Sequence, residues 1–192
     1  MILDYLRKEE FKLIKHQTYK SGEIIFHEND RCTSIGIVVS GLINISSITF
    51  EGGEIVYNSL TKGDIFGNNL IFSKEAFYRG NVNSITDSKI AFIKKNDLVT
   101  ILKNNEEFLI KYLEIHSEFT KSLNSKIKLL SFSSAKERFI YYLFINHNDI
   151  TFKNVTSLAK TLFLTREVTS RLISQMEKKG EIKRMKNRII KL

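Results

Sequence analysis

Two hydrophobic periodicities divide the chain. Between residues 22 and 98, short apolar and β-branched runs alternate with glycines: "GEIIFHEND", "SIGIVVSGLINISSITF", "GEIVYNSL", "GDIFGNNLIF" and "SKIAFIKKNDL". Strand-length runs at intervals of roughly 8–12 residues, with turn residues between them, predict a β-sandwich or barrel-like roll. The chain has no proline, and eight of its nine glycines lie between Gly22 and Gly80, so glycine does the punctuation. "FEGGEIV" predicts a hairpin turning on Gly52 and Gly53, both at positive φ. A short helix around Asp4 to Ile14 is predicted before the roll.

From about Asn105 the period lengthens to that of a helix. Leu109, Leu113, His116, Thr120, Leu123, Ile127 and Leu130 alternate spacings of four and three, a heptad seam interrupted by His116 and Thr120. Phe108, Tyr112, Ile115 and Phe119 form a second apolar row. Two apolar faces on one helix predict that one packs on the roll and the other meets a partner helix, giving a homodimer. After "SFSS" come three amphipathic runs, "AKERFIYYLFINH", "NVTSLAKTLFL" and "TREVTSRLISQMEKKG". Thr165 is the predicted N-cap of the last and Gly180 its stop. The closing "EIKRMKNRIIKL" alternates apolar and basic residues around "KN", as a small β-wing would. The predicted architecture is α+β in three parts: a β-roll over 1–103, a dimerisation helix over 104–131 and a winged helical module over 132–192.

Charge changes this picture at one end. Of a net +9, residues 1–131 hold 17 Lys/Arg against 16 Asp/Glu, whereas 132–192 hold 13 against 5. A basic excess confined to a periodic segment is the footprint of a polyanion-binding module. Cys32 is the sole cysteine, which excludes an internal disulfide framework and any multi-cysteine metal or iron–sulfur site, and suits a reducing compartment. No run is long and apolar enough to cross a membrane, and "MILDYLRKEEF" lacks a signal peptide's apolar core. A cytoplasmic chain with no membrane partner is expected.

Arg166, Glu167, Ser170 and Arg171 occur at i, i+1, i+4 and i+5 of the last amphipathic run, so they project together from its first turns. Val168, Leu172, Ile173 and Met176 are the expected buried side. Two short helices joined by a tight turn, the second polar near its start, match a helix-turn-helix. Arg pairs bidentately with guanine, and Glu accepts from cytosine in the major groove of double-stranded DNA. Thr165, Lys153, Lys183, Arg184 and Arg188, with Lys178 and Lys179, suit phosphate contact, which positions without specifying sequence. The competing reading is a merely solvated face.

With these residues in view, the chain resembles the Crp/Fnr family of bacterial transcription regulators over nearly its whole length. "TREVTSRLISQMEKKGEI" is similar to the family's recognition-helix pattern. This implies that Arg166, Glu167 and Arg171 read bases, beside Ser170, in an inverted repeat with a TGA core. RNA polymerase enters as a candidate partner. One departure lies in "LAKTLFLTRE", where Phe163 stands in place of the family's turn glycine. A positive φ there would strain a bulky residue by about 1–3 kcal/mol.

The roll departs further. "GDIFGNNLIFSKEAFYRG" resembles the family's phosphate-binding cassette, but Asn68, after Gly67, replaces the ribose-binding Glu. Tyr78 replaces the phosphate-binding Arg, and Arg79 falls one residue late; in a strand that slip turns a side chain to the other face. The same alignment puts Leu123 and Asn124 where relatives contact the base. Gly67, Asn68, Tyr78, Arg79, Leu123 and Asn124 are thus the expected effector pocket, one ill-suited to cyclic AMP. No cofactor is expected, and any effector is an unidentified small molecule. Haem ligation finds no diagnostic spacing among His16, His27, His116 and His147. Three alternatives compete with a dimeric, non-enzymatic DNA-binding regulator that is switched by an unidentified small molecule or not switched at all. One is a cyclic-nucleotide-responsive regulator. Another is a metal-dependent enzyme on a cupin-like roll, for which His27 would be the only histidine available. The third is a winged module that binds protein.

Overall fold

The glycine-punctuated runs form the predicted strands, though not all of the strands the fold contains. The computed structural model describes all 192 residues, which divide into two compact units, Met1–Ser117 and Glu118–Leu192. In the first, eight strands build two antiparallel sheets. One has the order β1 (Ile14–Tyr19), β8 (Ser88–Lys94), β3 (Ser34–Ser40), β6 (Ile65–Phe66). The other runs β2 (Ile24–Phe26), β7 (Asn81–Ser84), β4 (Ile43–Ile48), β5 (Glu54–Leu60). The core holds Ile35, Ile37, Val38, Ile43, Val82, Ile90 and Ile93, all inaccessible to solvent. Strands β3 and β8 are buried on both faces, which is why they read as continuous apolar runs rather than alternations. Gly36 is required by close approach: a Cβ there would lie 2.1 Å from Cζ of Phe66, whose ring covers it.

Several expectations need correction. The N-terminal helix is instead two 3-10 turns, Ile2–Tyr5 and Lys8–Leu13, and Ile14 already belongs to β1. Strands β1 and β7 escaped prediction because "IKHQTY" and "NVNS" are largely polar. The run "SKIAFIKKNDL" is strand only to Lys94, where α1 (Lys95–Asn104) begins. At the β4–β5 turn only Gly52 has positive φ (79°), because Thr49 does the rest: its carbonyl accepts from Gly52 N–H and its Oγ1 from Gly53 N–H.

Helix α2 (Glu106–Ser131) follows α1 after a break fixed by Asn105. The Oδ1 of this buried side chain accepts from Phe108 N–H, capping α2. Its Nδ2 donates to Tyr5 O (2.9 Å) and to the buried carboxylate of Glu10 (2.8 Å). Phe108 and Tyr112 are buried in the roll core, Ile115 is half-buried and Phe119 is exposed. On the seam Leu113, Leu123, Ile127 and Leu130 are 45–58% exposed in the single chain.

The second unit contains α3 (Ala135–Ile145), β9 (Asp149–Thr151), α4 (Val155–Leu162), α5 (Arg166–Lys178), β10 (Ile182–Met185) and β11 (Arg188–Lys191). Helices α3 and α4 begin at side-chain caps, Ser134 with Glu137 and Asn154 with Ser157. Their apolar faces meet α5 around Phe139, Leu143, Leu158, Leu162, Ile173 and Met176. The β10–β11 hairpin turns at Lys186–Asn187, and β9 adds a third strand beside β11.

Candidate nucleic-acid interface

Helix α5 is built to hold its first turns in a fixed pose. Thr165, extended at φ −74°, accepts from Val168 N–H through its side chain. At the far end Gly180, at φ 70°, closes a Schellman motif: its N–H donates to Glu177 O and that of Glu181 to Met176 O. Arg166, Glu167, Ser170 and Arg171 are all exposed, while Leu172, Ile173 and Met176 are buried on the opposite side. Val168, expected in the buried set, is 39% exposed; its neighbour Thr169 is fully buried instead. Thr169 is accommodated because its hydroxyl donates to Thr165 O at 2.9 Å, leaving its methyl group for the core.

The turn between α4 and α5 has the conformation that Phe163 makes costly. Phe163 sits at φ 54°, ψ 44°, and the turn closes with Phe163 N–H on Lys160 O and Leu164 N–H on Ala159 O. The turn therefore keeps its left-handed form despite the missing glycine. Arg138 helps to hold it: Nε donates to Phe132 O at 3.1 Å and an Nη to Phe163 O at 3.3 Å. Nothing in the spacing of "AKERF" marks Arg138 for this task.

The basic residues around α5 differ in how free they are. Lys153, Lys178, Lys179 and Lys183 are exposed, and Arg184 is half-buried. Arg188 is engaged: its guanidinium grips Asp149 in a two-bond fork, with Nε to Oδ1 at 2.7 Å. That bond holds the Asp149 carboxyl below its ordinary range and the Arg188 guanidinium above its own. Arg188 thus ties β11 to β9, with its charge already balanced. Asp149 was invisible to sequence reasoning because β9 itself was.

Within the roll, the expected effector residues separate. Gly67, at φ 76°, lies against Ser34, Cys32 and the hydroxyl of Tyr78. Asn68 is buried, its Nδ2 3.4 Å from Nε2 of His116 on α2. Tyr78 is buried and stacks on Phe26, ring centroids 4.6 Å apart. Residues 79–80 form a bend rather than the strand expected there, and Tyr78 points in. Arg79 points out, beside Glu75 at 3.7 Å. Leu123 and Asn124 are both exposed on α2. The hydroxyls of Tyr78 and Tyr112 are buried without a hydrogen-bond partner. Burial raises both phenols, Tyr112 to about 12, and also raises the Cys32 thiol. Burial lowers His116. The cluster is aromatic, uncharged and without a cation. Strand β1 gives the roll a second histidine, His16, in addition to His27, but no three His, Cys, Asp or Glu side chains converge to hold a metal ion.

The chain combines a double-sheet roll, a long helix and a small helical unit ending in a hairpin, and known proteins share this arrangement. Residues 16–105 match the cyclic nucleotide-binding domain family. The chain is 26% identical over 182 residues to the anaerobic regulatory protein of Bacillus subtilis (strain 168), covering 89% of this chain and 74% of that one. It is 25% identical over 193 residues to the HTH-type transcriptional regulator ArcR of Staphylococcus epidermidis, covering 90% and 80%. Among solved structures, a CooA variant from Carboxydothermus hydrogenoformans matches with TM-score 0.70 and 19% identity, covering 100% of this chain and 90% of that one. The Thermus thermophilus catabolite activator protein matches with TM-score 0.58 and 18% identity, covering 100% and 93%. Over most of its length the chain is thus similar to transcription regulators of the Crp/Fnr type. No helix is long and apolar enough to cross a membrane.

Proposed function

We propose that this chain is a sequence-specific DNA-binding transcription regulator that acts as a homodimer without control by cyclic AMP. The observation that carries the reading is the exposed quartet Arg166, Glu167, Ser170 and Arg171 at the capped start of α5. In this reading α4 and α5 are a helix-turn-helix, the β10–β11 hairpin is its wing, and α5 enters the major groove. Arg166 and Arg171 donate to purine edges and Glu167 accepts from cytosine N4. Lys153, Lys183 and Arg184, with the capped Thr165, face phosphates, and RNA polymerase is the partner downstream of operator binding. The exposed seam of α2 is the dimer contact, which presents two reading heads to the halves of an inverted repeat about one helical turn apart.

Independence from cyclic AMP is supported by the chemistry of the roll. Taking a cyclic phosphate out of water without a paired cation costs several kcal/mol. The position that would need an arginine holds the neutral Tyr78, and Arg79 points out of the roll. Selection from random duplex DNA tests the function. The expected product is an inverted repeat with a TGA core in each half; recovery of no enriched motif would refute a sequence-reading role.

A further inference from the structure

One face of the β1–β8–β3 sheet carries charges where its role in the fold calls for none. Cross-strand register places Lys15 opposite Phe92, Lys94 opposite Ser34, and Phe92 opposite Gly36. Paired residues share a face, and alternation brings Gln17 and Tyr19 onto it with Lys15. This is an inward face of the roll: Phe92 is 7% exposed and meets Phe26, Phe66 and Tyr19 edge-to-face. Lys15 and Lys94 are therefore diagonal neighbours of like charge, both exposed at one end of this face. Neither forms an ion pair, nor does Lys12 of the preceding 3-10 turn. Inward lysines can guard an edge strand, which would account for Lys15 on β1. Lys94, the last residue of β8, pairs with Ser34 alone, because β1 begins at Ile14 opposite Ile93.

These residues line a groove of about 510 Å³, within the range of small-molecule sites. Phe26, Phe92, Leu13 and Ile14 supply its apolar surface, and the buried Ser34 contributes a hydroxyl. Asp97 is the one carboxylate lining it, against three lysines. The groove is separate from the Gly67–Asn68 and Tyr78 cluster but touches it through Phe26, which stacks on Tyr78.

We propose that this groove is a binding site for a small carboxylate with an apolar body. The body would lie on Phe26 and Phe92 while the carboxylate is shared by Lys15 and Lys94, whose mutual repulsion it relieves. The ammonium groups remain solvated, so selection comes from combining charge with apolar burial; a bare anion lacks the second and a neutral ring the first. This goes beyond the proposed DNA-binding function and does not depend on it, since the site is tested without DNA.

The test is amide shift mapping on the full chain, titrated separately with benzoate, benzamide and inorganic phosphate. Benzoate should give saturable shifts centred on Lys15, Phe92 and Lys94, with benzamide and phosphate each at least about tenfold weaker. The double variant Lys15→Gln, Lys94→Gln should weaken benzoate by about tenfold or more while leaving the spectrum folded. Three results would overturn the proposal: benzamide binding as tightly as benzoate, benzoate shifts centred on Asn68 and Tyr78 instead, or unchanged benzoate affinity in the double variant. Absence of saturable benzoate binding at millimolar concentration would overturn it equally.

Discussion

Glu167 is the acidic member of an otherwise cationic face, and a carboxylate facing DNA is unfavourable unless it gains a specific donor. Glu167→Ala should therefore relax selectivity at one base pair per half-site, by about 1–3 kcal/mol, while leaving affinity for other sequences unchanged or slightly higher. A selected-sequence logo that keeps full information at every position would remove Glu167 from base reading. Two basic residues that look alike in sequence should part company. Lys183→Ala should weaken binding to all sequences and shallow the salt dependence. Arg188→Ala should act chiefly on the wing, because its guanidinium is already committed to Asp149; amide exchange in β9 and β11 reads this. Phe163 offers a third test. It holds φ 54° while 49% exposed, so Phe163→Gly removes backbone strain and loses little burial. A net gain of about 1 kcal/mol in unfolding stability is expected, after the larger entropy that glycine loses on folding. A loss of stability would mean that the ring's packing outweighs the strain. At this scale the sequence announced the polar quartet and the awkward phenylalanine. It was silent on Arg138 and Asp149, whose partners lie 25 and 39 residues away along the chain.

Among elements, α2 carries the most consequence. Its Phe108 and Tyr112 row belongs to the roll core, whereas Leu113, Leu123, Ile127 and Leu130 leave a large apolar stripe in water. In the proposed homodimer a second copy covers this stripe. Leu123→Glu would oppose a buried charge to its symmetry mate, so sedimentation should show monomers, and operator affinity should collapse with the loss of the second half-site. A variant that still sediments as a dimer would place the interface on another face. Helices α2 to α5 and the closing hairpin were legible from their periodicity, and α5 also from its cap at Thr165 and its stop at Gly180. Strands β1, β7 and β9 were not, since each is short or polar and is defined by the neighbour to which it bonds. The same holds for α1, whose ten residues directly continue the β8 run.

For the whole molecule, a roll that matches the cyclic nucleotide-binding family carries an interior of a different character. Tyr78 stacked on Phe26, Asn68 beside His116 and two unpaired tyrosine hydroxyls form an aromatic, uncharged cluster. Losing the two charged partners of a cyclic nucleotide should weaken its binding by about 10²–10⁴. Calorimetry with cyclic AMP or cyclic GMP at sub-millimolar concentration should register no heat. Micromolar binding would mean that Arg79 turns inward, and Arg79→Ala should then abolish it. The decisive measurement for the account is an anisotropy titration of the selected operator, and of a scrambled duplex, in the presence and absence of cyclic AMP. Operator binding at least about 10³-fold tighter than the scrambled duplex is expected, with the same curve whether or not cyclic AMP is added. Equal affinity for the two duplexes, or an operator curve that tightens with cyclic AMP, would contradict it.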